Sequence, residues 1–261
     1  TARNSLAAAS YGVDKAIFGY GFNNTGNGES MTNKVSNTGV VATDTTGVGT
    51  ARRFLAAASF GGDKAIFGYG LTDNNNTFTA LSNKVSNSGV VASDTSGVGT
   101  VRGYLAAAGF GGSDGVTDKA IFGYGFTSGG NTNLSNLVST NGTVASDVSG
   151  VGTARHSLAA ASFGGDKAIF GFGSANSSPR VSMTNLVNNE GVVASDVSGV
   201  GTDGRQGACC AFGGDKAIFG GRVNLSGGNM SNLVNNNGVV ASDITLVGTF
   251  RVDYAGAGFG T

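Results

Sequence analysis

The residues able to do chemistry in this chain are few, and most recur at fixed spacing. His156 is the sole histidine, and Cys209 and Cys210 are the only cysteines. Imidazole is the group best suited to exchange a proton near neutral pH, so a Ser-His-Asp arrangement has to use His156. That residue stands where Asn4, Arg53 and Gly103 stand in other copies of a repeat, and it reads as an exposed or pairing side chain. Zinc needs three or four converging His, Cys or carboxylate ligands, and no such set is visible. No spacing matches a calcium loop of the EF-hand kind. Neighbouring cysteines rarely bridge without strain. Cys209 and Cys210 replace alanines of the other copies and read as small buried hydrophobes. Paired carboxylates could hydrolyse a glycosidic bond. Of fourteen aspartates, however, only Asp73, Asp114, Asp203 and Asp253 fall outside the repeated positions. No metal, cofactor or catalytic group is expected.

The remaining polar residues follow a period of about 50. An Arg opens an Ala-rich stretch at Arg3, Arg52, Arg102, Arg155, Arg205 and Arg251, with spacings of 49, 50, 53, 50 and 46. Asp14-Lys-Ala-Ile-Phe-Gly19 returns at Asp63, Asp118, Asp166 and Asp215, and a Val-rich segment closes at Asp44, Asp94, Asp147, Asp196 and Asp243. Each of these closing aspartates precedes the next Arg by about eight residues on one face. The expected structural pairs are therefore Arg52 with Asp44, Arg102 with Asp94, Arg155 with Asp147, Arg205 with Asp196 and Arg251 with Asp243. A ring of arginines around a channel mouth could instead take an anion, but repetition in every unit favours the structural role. Asn33, Asn83, Asn136, Asn185 and Asn232 are expected to bond turns at the start of a strand.

The elements that must position these residues are short strands. In the second unit, Leu55–Phe60 and Lys64–Tyr69 flank Gly61-Gly-Asp63, a tight hairpin signal. A third strand, Ser82–Ser86, turns at Asn87-Ser-Gly89 into a fourth, Val90–Ser93. Helical periodicity is absent, and 47 glycines oppose long helices. Self-similarity of this kind marks a repeat architecture. The expectation is one all-β domain over residues 1–261, a five-bladed β-propeller with four antiparallel strands per blade. Its units run 1–50, 51–100, 101–153, 154–202 and 203–249, with an extra strand at 250–261 that either helps to close the ring or begins another blade. Opening at Thr1 instead of Met is expected of a processed or excised piece.

The stretch Thr153-Ala-Arg155-His-Ser-Leu-Ala-Ala-Ala-Ser-Phe-Gly-Gly-Asp-Lys-Ala-Ile-Phe-Gly171, with Asn185 and Asp196 beyond it, resembles a kelch repeat. That family sets an Arg before the first strand, then a hairpin, an aliphatic-aromatic strand ending in glycines, and strands bearing Asn and Asp. The chain departs from it in lacking tryptophan and in the glycine doublet after the second strand, which is Gly-Tyr-Gly or Gly-Phe-Gly in four units and Gly220-Gly221 only in the fifth. Propellers of the regulator-of-chromosome-condensation type are a weaker match. The Ala-Ile-Phe-Gly-Tyr-Gly arrays are also similar to repeat proteins of marine tailed phages, which implies a virion or extracellular setting.

Sixteen basic and sixteen acidic residues cancel. This balance argues against nucleic acid, which needs a basic surplus. No run of 18 apolar residues suggests membrane insertion. The scaffold is copied from unit to unit, but the loops between the second and third strands differ, and loops on a rigid scaffold carry recognition. The candidate ligand-binding residues are Asn23, Asn24, Asp73, Asn74, Asn75, Phe78, Thr127, Asn131, Asn176, Arg180, Arg222 and Asn224. Their neutral donors and acceptors suit sugar hydroxyls, although Phe22, Phe78 and Phe126 are the only aromatic candidates among the loops. The expected function is a non-enzymatic binding or structural module, with cell-surface glycans or other virion proteins as partners. A free lectin-like glycan binder is the alternative, and a glycan-active enzyme the third.

Overall fold

A computed structural model describes residues 1–72, 77–112, 117–176, 180–224, 229–246 and 253–258. These residues are all-β, without a helix, and form many small antiparallel sheets of two to four strands.

Each unit builds the same sheet. In the second unit the first strand, Ala56–Phe60, pairs with the second, Lys64–Gly68, and the second pairs with the third, Ser82–Val85. The alternation of a strand is visible in burial. Ala56, Ala58 and Phe60 are buried, while Ala57 and Ser59 are half-buried. Three residues close the hairpin, and Gly61 and Gly62 hold φ of +60° and +81°, a region open to glycine at little cost. In the first unit Val13 takes the second of these positions at +72°.

The expected fourth strand, Val90–Ser93 and its equivalents, does not form; a strand at this edge appears only in the fifth unit, at Ile244–Thr245, just beyond the expected span. In the other units it is reduced to two bridges, such as Val85 with Val91 and Ser82 with Thr95. Between them the third strand advances three residues and its partner four, so one extra residue forms a bulge. The bulge lies beside Asp94, whose carboxylate meets the Asn83 side chain at 2.9 Å.

Sheets pack face to face in sequence order. Phe67 is fully buried on the preceding sheet, edge-on to Tyr20 with ring centroids 5.1 Å apart. A Cβ at Gly19 would lie 2.7 Å from the Phe67 ring, so the glycine ending the second strand is a seat for the next unit's phenylalanine. The same contact recurs between Gly68 and Phe122, Gly123 and Phe170, and Gly171 and Phe219. Each such Phe contributes about 1.5–3 kcal/mol by leaving water.

The first strands of successive units lie side by side, and a circuit of backbone hydrogen bonds joins the residues that precede them. Phe54 donates to Ser5, Tyr104 to Phe54, Ser157 to Tyr104 and Gln206 to Ser157, at 2.8–3.0 Å. Asp253 then donates to Gln206 at 3.3 Å, and Ser5 to Asp253 at 2.9 Å. The sixth copy of the opening segment thus stands between the fifth unit and the first. The Ser10 hydroxyl donates to the Gly258 carbonyl there. All six members have φ between +51° and +60°. Among the described residues no sheet closes on itself.

Candidate functional site

The repeated arginines are interior groups. Arg52, Arg102 and Arg155 are fully buried. Arg102 donates from Nε to the Tyr124 carbonyl at 2.8 Å, from Nη1 to the Thr100 carbonyl at 3.1 Å and from Nη2 to Asn136 Oδ1 at 2.7 Å. Its guanidinium also lies 4.2 Å from the ring centroid of Tyr69 in the preceding unit. Asn136 passes the interaction on, donating to Asp147 at 2.9 Å, and Asp147 accepts from the Thr100 amide and hydroxyl at 3.0 and 2.6 Å. Burial pushes the Asp147 carboxyl up, but the bonds from Thr100 and Asn136 outweigh it and hold the group below the usual carboxylate range.

This network corrects the expected pairing by one unit. Arg102 reaches Asp147 at 3.9 Å and Arg155 reaches Asp196 at 3.8 Å. The expected partners were Asp94 and Asp147. Likewise Arg52 is linked through Asn83 to Asp94, not Asp44. Each closing Asp folds back on the start of its own unit, because the bulge aims it inward. Asn83, Asn136, Asn185 and Asn232 are fully buried within their strands; the first three link Arg to Asp, whereas Asn232 bonds Asp243 but no arginine, and each also donates to an alanine carbonyl beyond the following turn. Arg251 lies outside the described residues.

The fifth unit departs further. Gly204, not Arg205, aligns with Arg155, and Arg222 fills the empty place from the next loop. It is 2% exposed, 3.8 Å above the Phe172 ring and 3.5 Å from Asp243. A Cβ at Gly204 would fall 2.7 Å from Arg222 Cβ. Arg222 is therefore a structural residue, contrary to its expected place among the ligand-binding loop residues, and Arg205 does not bridge to Asp196 in the manner of Arg155.

What breaks the repeat lies next to these arginines. The two positions after each one, and after Gly204 in the fifth unit, read Asn4-Ser5, Arg53-Phe54, Gly103-Tyr104, His156-Ser157 and Arg205-Gln206, between neighbours that recur. The first of each pair bridges to the start of the variable loop, as Arg53 does to Leu71, Gly103 to Phe126 and His156 to Ser174. The second belongs to the hydrogen-bonded circuit. The two sets of variable residues therefore meet. Phe54 stacks on Tyr104 with centroids 4.0 Å apart, and Tyr104 meets His156 edge-on at 6.0 Å. His156 also meets Phe126 at 5.3 Å, and Phe126 lies 6.3 Å from Phe78. Arg53 covers Phe22 at 4.4 Å. Asn131 Oδ1 lies 2.7 Å from His156 Nδ1.

These side chains are half-buried. Beside them, within the hydrogen-bonded circuit, is a shallow cavity of about 90 Å³ to which only Phe54 and Tyr104 of this cluster contribute, with Ser5, Ser157, Gln206 and Asp253. Burial, then the Arg205 charge, lowers the His156 pKa, so the imidazole is neutral at pH 7. Burial raises the Tyr104 phenol and the Asp253 carboxyl, the latter partly offset by hydrogen bonds from Gln206. The cluster offers flat aromatic surface bordered by the His156 and Asn131 side chains and by the Arg53 guanidinium.

The other expected loop residues divide. Phe78 and Asn131 belong to this cluster. Asn23 is taken up by its own loop, accepting from Thr25 and Asn27 and donating to Glu29 at 2.6 Å. Thr127 likewise bonds Gly130. Asn24 and Asn176 are exposed, and Arg180 and Asn224 are half-buried. Asp73, Asn74 and Asn75 lie outside the described residues. Sequence reasoning missed Arg53, Phe54 and Tyr104, although variation between recurring neighbours marks them. A larger cavity of about 400 Å³ opens at the opposite end of the first strands, among the repeated turns and Ser10, Ser59 and Ser162. Its walls are only partly repeated, since Val13, Thr117, Cys210, Ala257 and Gly258 also line it. Among the described residues no group of His, Cys, Asp or Glu could hold a metal. No protein-family profile matches the chain, and neither does any curated protein.

Proposed function

We propose that this chain is a non-enzymatic binding module of a virion or other extracellular assembly, which recognises a glycan through its variable face. The observation that carries the reading is the cluster of Phe54, Tyr104, His156 and Phe126 at the positions where the repeat varies. An aromatic face buries the apolar side of a pyranose, while His156, Asn131 and Gln206 exchange hydrogen bonds with its hydroxyls. A neutral imidazole suits a neutral sugar better than a charged one does. The architecture we favour is a kelch-like propeller, with five blades and a sixth position occupied by residues 253–258. Support for it comes from the six-member hydrogen-bond circuit and from the repeated packing of each sheet on the next.

The test is a broad glycan array followed by saturation-transfer NMR on any hit. Binding should transfer saturation from the Tyr104 and Phe126 rings and be lost in Tyr104→Ala. Absence of binding across neutral and acidic panels removes the glycan reading. The chain's absence from purified particles of its source removes the virion setting.

A further inference from the structure

The imidazole of His156 is gripped from the unit before its own. His156 pairs with Ser174 in a two-residue ladder of the fourth unit, and Phe126 pairs with Asn131 in a hairpin of the third unit's variable loop. Both hairpin residues reach the fourth unit. Phe126 meets the imidazole at 5.3 Å. Asn131 spans the ladder pair: its Nδ2 donates to the Ser174 carbonyl at 3.2 Å, and its Oδ1 lies 2.7 Å from His156 Nδ1. A carbonyl oxygen only accepts, so the Asn131 atom facing Ser174 is the amide nitrogen and the atom facing His156 is the oxygen. That oxygen also only accepts, so Nδ1 carries a proton. Burial, and then the Arg205 charge, keep the ring neutral at pH 7. In a neutral imidazole with Nδ1 protonated, Nε2 holds a lone pair. This reverses the tautomer that a free neutral histidine prefers. Among the described residues nothing donates to Nε2. The same position in the other units holds Asn4, Arg53, Gly103 or Arg205, so the arrangement occurs once.

We infer that Asn131 fixes His156 in its Nδ1–H form, and that Nε2 is the acceptor which selects a ligand bearing a hydroxyl donor beside the Tyr104 and Phe126 rings. The identity of the donor as a sugar hydroxyl rests on the glycan reading; the tautomer does not. His156 is the specificity-determining residue, and Asn131 is a positioning residue that acts through it. A ligand that brings only an ether or ester oxygen to Nε2 sets lone pair against lone pair, and a half-buried acceptor left unpaired weakens its binding. Protonation of the ring would turn Nε2 into a donor and reverse the choice. The Arg205 charge beside the ring opposes that protonation. The grip also couples two variable segments, since the loop of the third unit sets the hydrogen-bonding character of a residue in the fourth.

The first part of the test needs no ligand. His156 is the sole histidine, so long-range proton–nitrogen NMR on the full chain, isotope-labelled at histidine and held at neutral pH, reports one ring. A pyrrole-type Nδ1 and a pyridine-type Nε2 are expected. In Asn131→Ala the ring should pass to the ordinary Nε2–H form, with the circular dichroism of the parent retained. A pyridine-type Nδ1 in the parent, or a tautomer indifferent to Asn131→Ala, overturns the inference. The second part takes the strongest glycan-array hit and its deoxyfluoro analogues, in which one hydroxyl at a time loses its donor and keeps a weak acceptor. One analogue should bind roughly tenfold or more weakly than the parent sugar. The difference should vanish in His156→Phe, which keeps a ring between Tyr104 and Phe126. Sugars that bind with no such dependence on His156 overturn the acceptor role and leave the glycan reading standing. If no sugar binds, the glycan reading fails and takes the hydroxyl donor with it, and the spectrum alone decides the tautomer.

Discussion

Arg222 and Gly204 form an exchange that a double-mutant cycle can measure. Arg222→Gly removes a buried guanidinium from the Phe172 ring, 3.8 Å away, and from Asp243, 3.5 Å away. A desolvated cation–π contact is worth about 2 kcal/mol. The ion pair adds about 1 kcal/mol, discounted because Asp243 is 24% exposed. The expected loss is about 3 kcal/mol. Gly204→Arg alone forces a second stem into occupied volume, with Cβ atoms 2.7 Å apart, and overpacking of this kind costs about 1–3 kcal/mol before charge repulsion. Combined, the two changes rebuild the arrangement of Arg155, whose Nε and Nη1 reach the Phe172 and Thr153 carbonyls at 3.0 and 3.2 Å. Arg222 leaves the same two nitrogens buried without partners. The double variant should therefore return to within about 1 kcal/mol of the parent or exceed it. Urea unfolding of all four proteins gives the coupling directly. At roughly 2–4 °C per kcal/mol for a chain of this size, each single change should be plain in a melt. Losses that add within about 0.5 kcal/mol would refute the exchange.

Three further outcomes are expected. Val13→Gly should raise stability by about 1 kcal/mol in a thermal melt, because a β-branched residue at φ +72° bears a left-handed strain that glycine avoids. The lowered His156 pKa means that the unfolded chain takes up a proton below the ordinary 6.5 that the folded chain refuses. Stability present above pH 6.5 should thus decline as pH falls, and the urea midpoint of His156→Asn should lose that part of the slope. Phe54→Ala should reduce glycan affinity by roughly tenfold or more in calorimetry, since it removes the partner stacked on Tyr104.

Strands and hairpins were legible because their signals are local. The Ala-rich first strand, the Gly-Gly-Asp turn and the Ala-Ile-Phe strand each announce themselves within six residues. The fourth strand was not legible. Val90-Val-Ala-Ser has strand character, but the extra residue of the bulge is a property of its pairing with Ser82–Val85, not of its composition. The partner of each Arg was misassigned because eight residues along the chain seemed closer than the 45 that separate Arg102 from Asp147. Arg205 hid the Gly204 substitution by supplying an arginine one place late. The aromatic cluster is assembled from residues about 50 apart, and only the circuit of hydrogen bonds brings Phe54, Tyr104 and Ser157 together.

The bonds from Thr50 to Asp94, Thr100 to Asp147, Thr153 to Asp196 and Thr202 to Asp243 fasten the head of each unit to its own tail. A module buttoned to itself in this way can be duplicated, dropped or lengthened without retailoring its neighbours. The additional residues between Gly112 and Asp118 illustrate the freedom: the third unit is longer than the others, yet its Thr100 and Asp147 meet as closely as the rest. Gene-level copying could therefore proceed one buttoned module at a time, with novelty falling at the two positions after each arginine, in the loop beside them and, in the third unit, in the turn between Gly112 and Asp118.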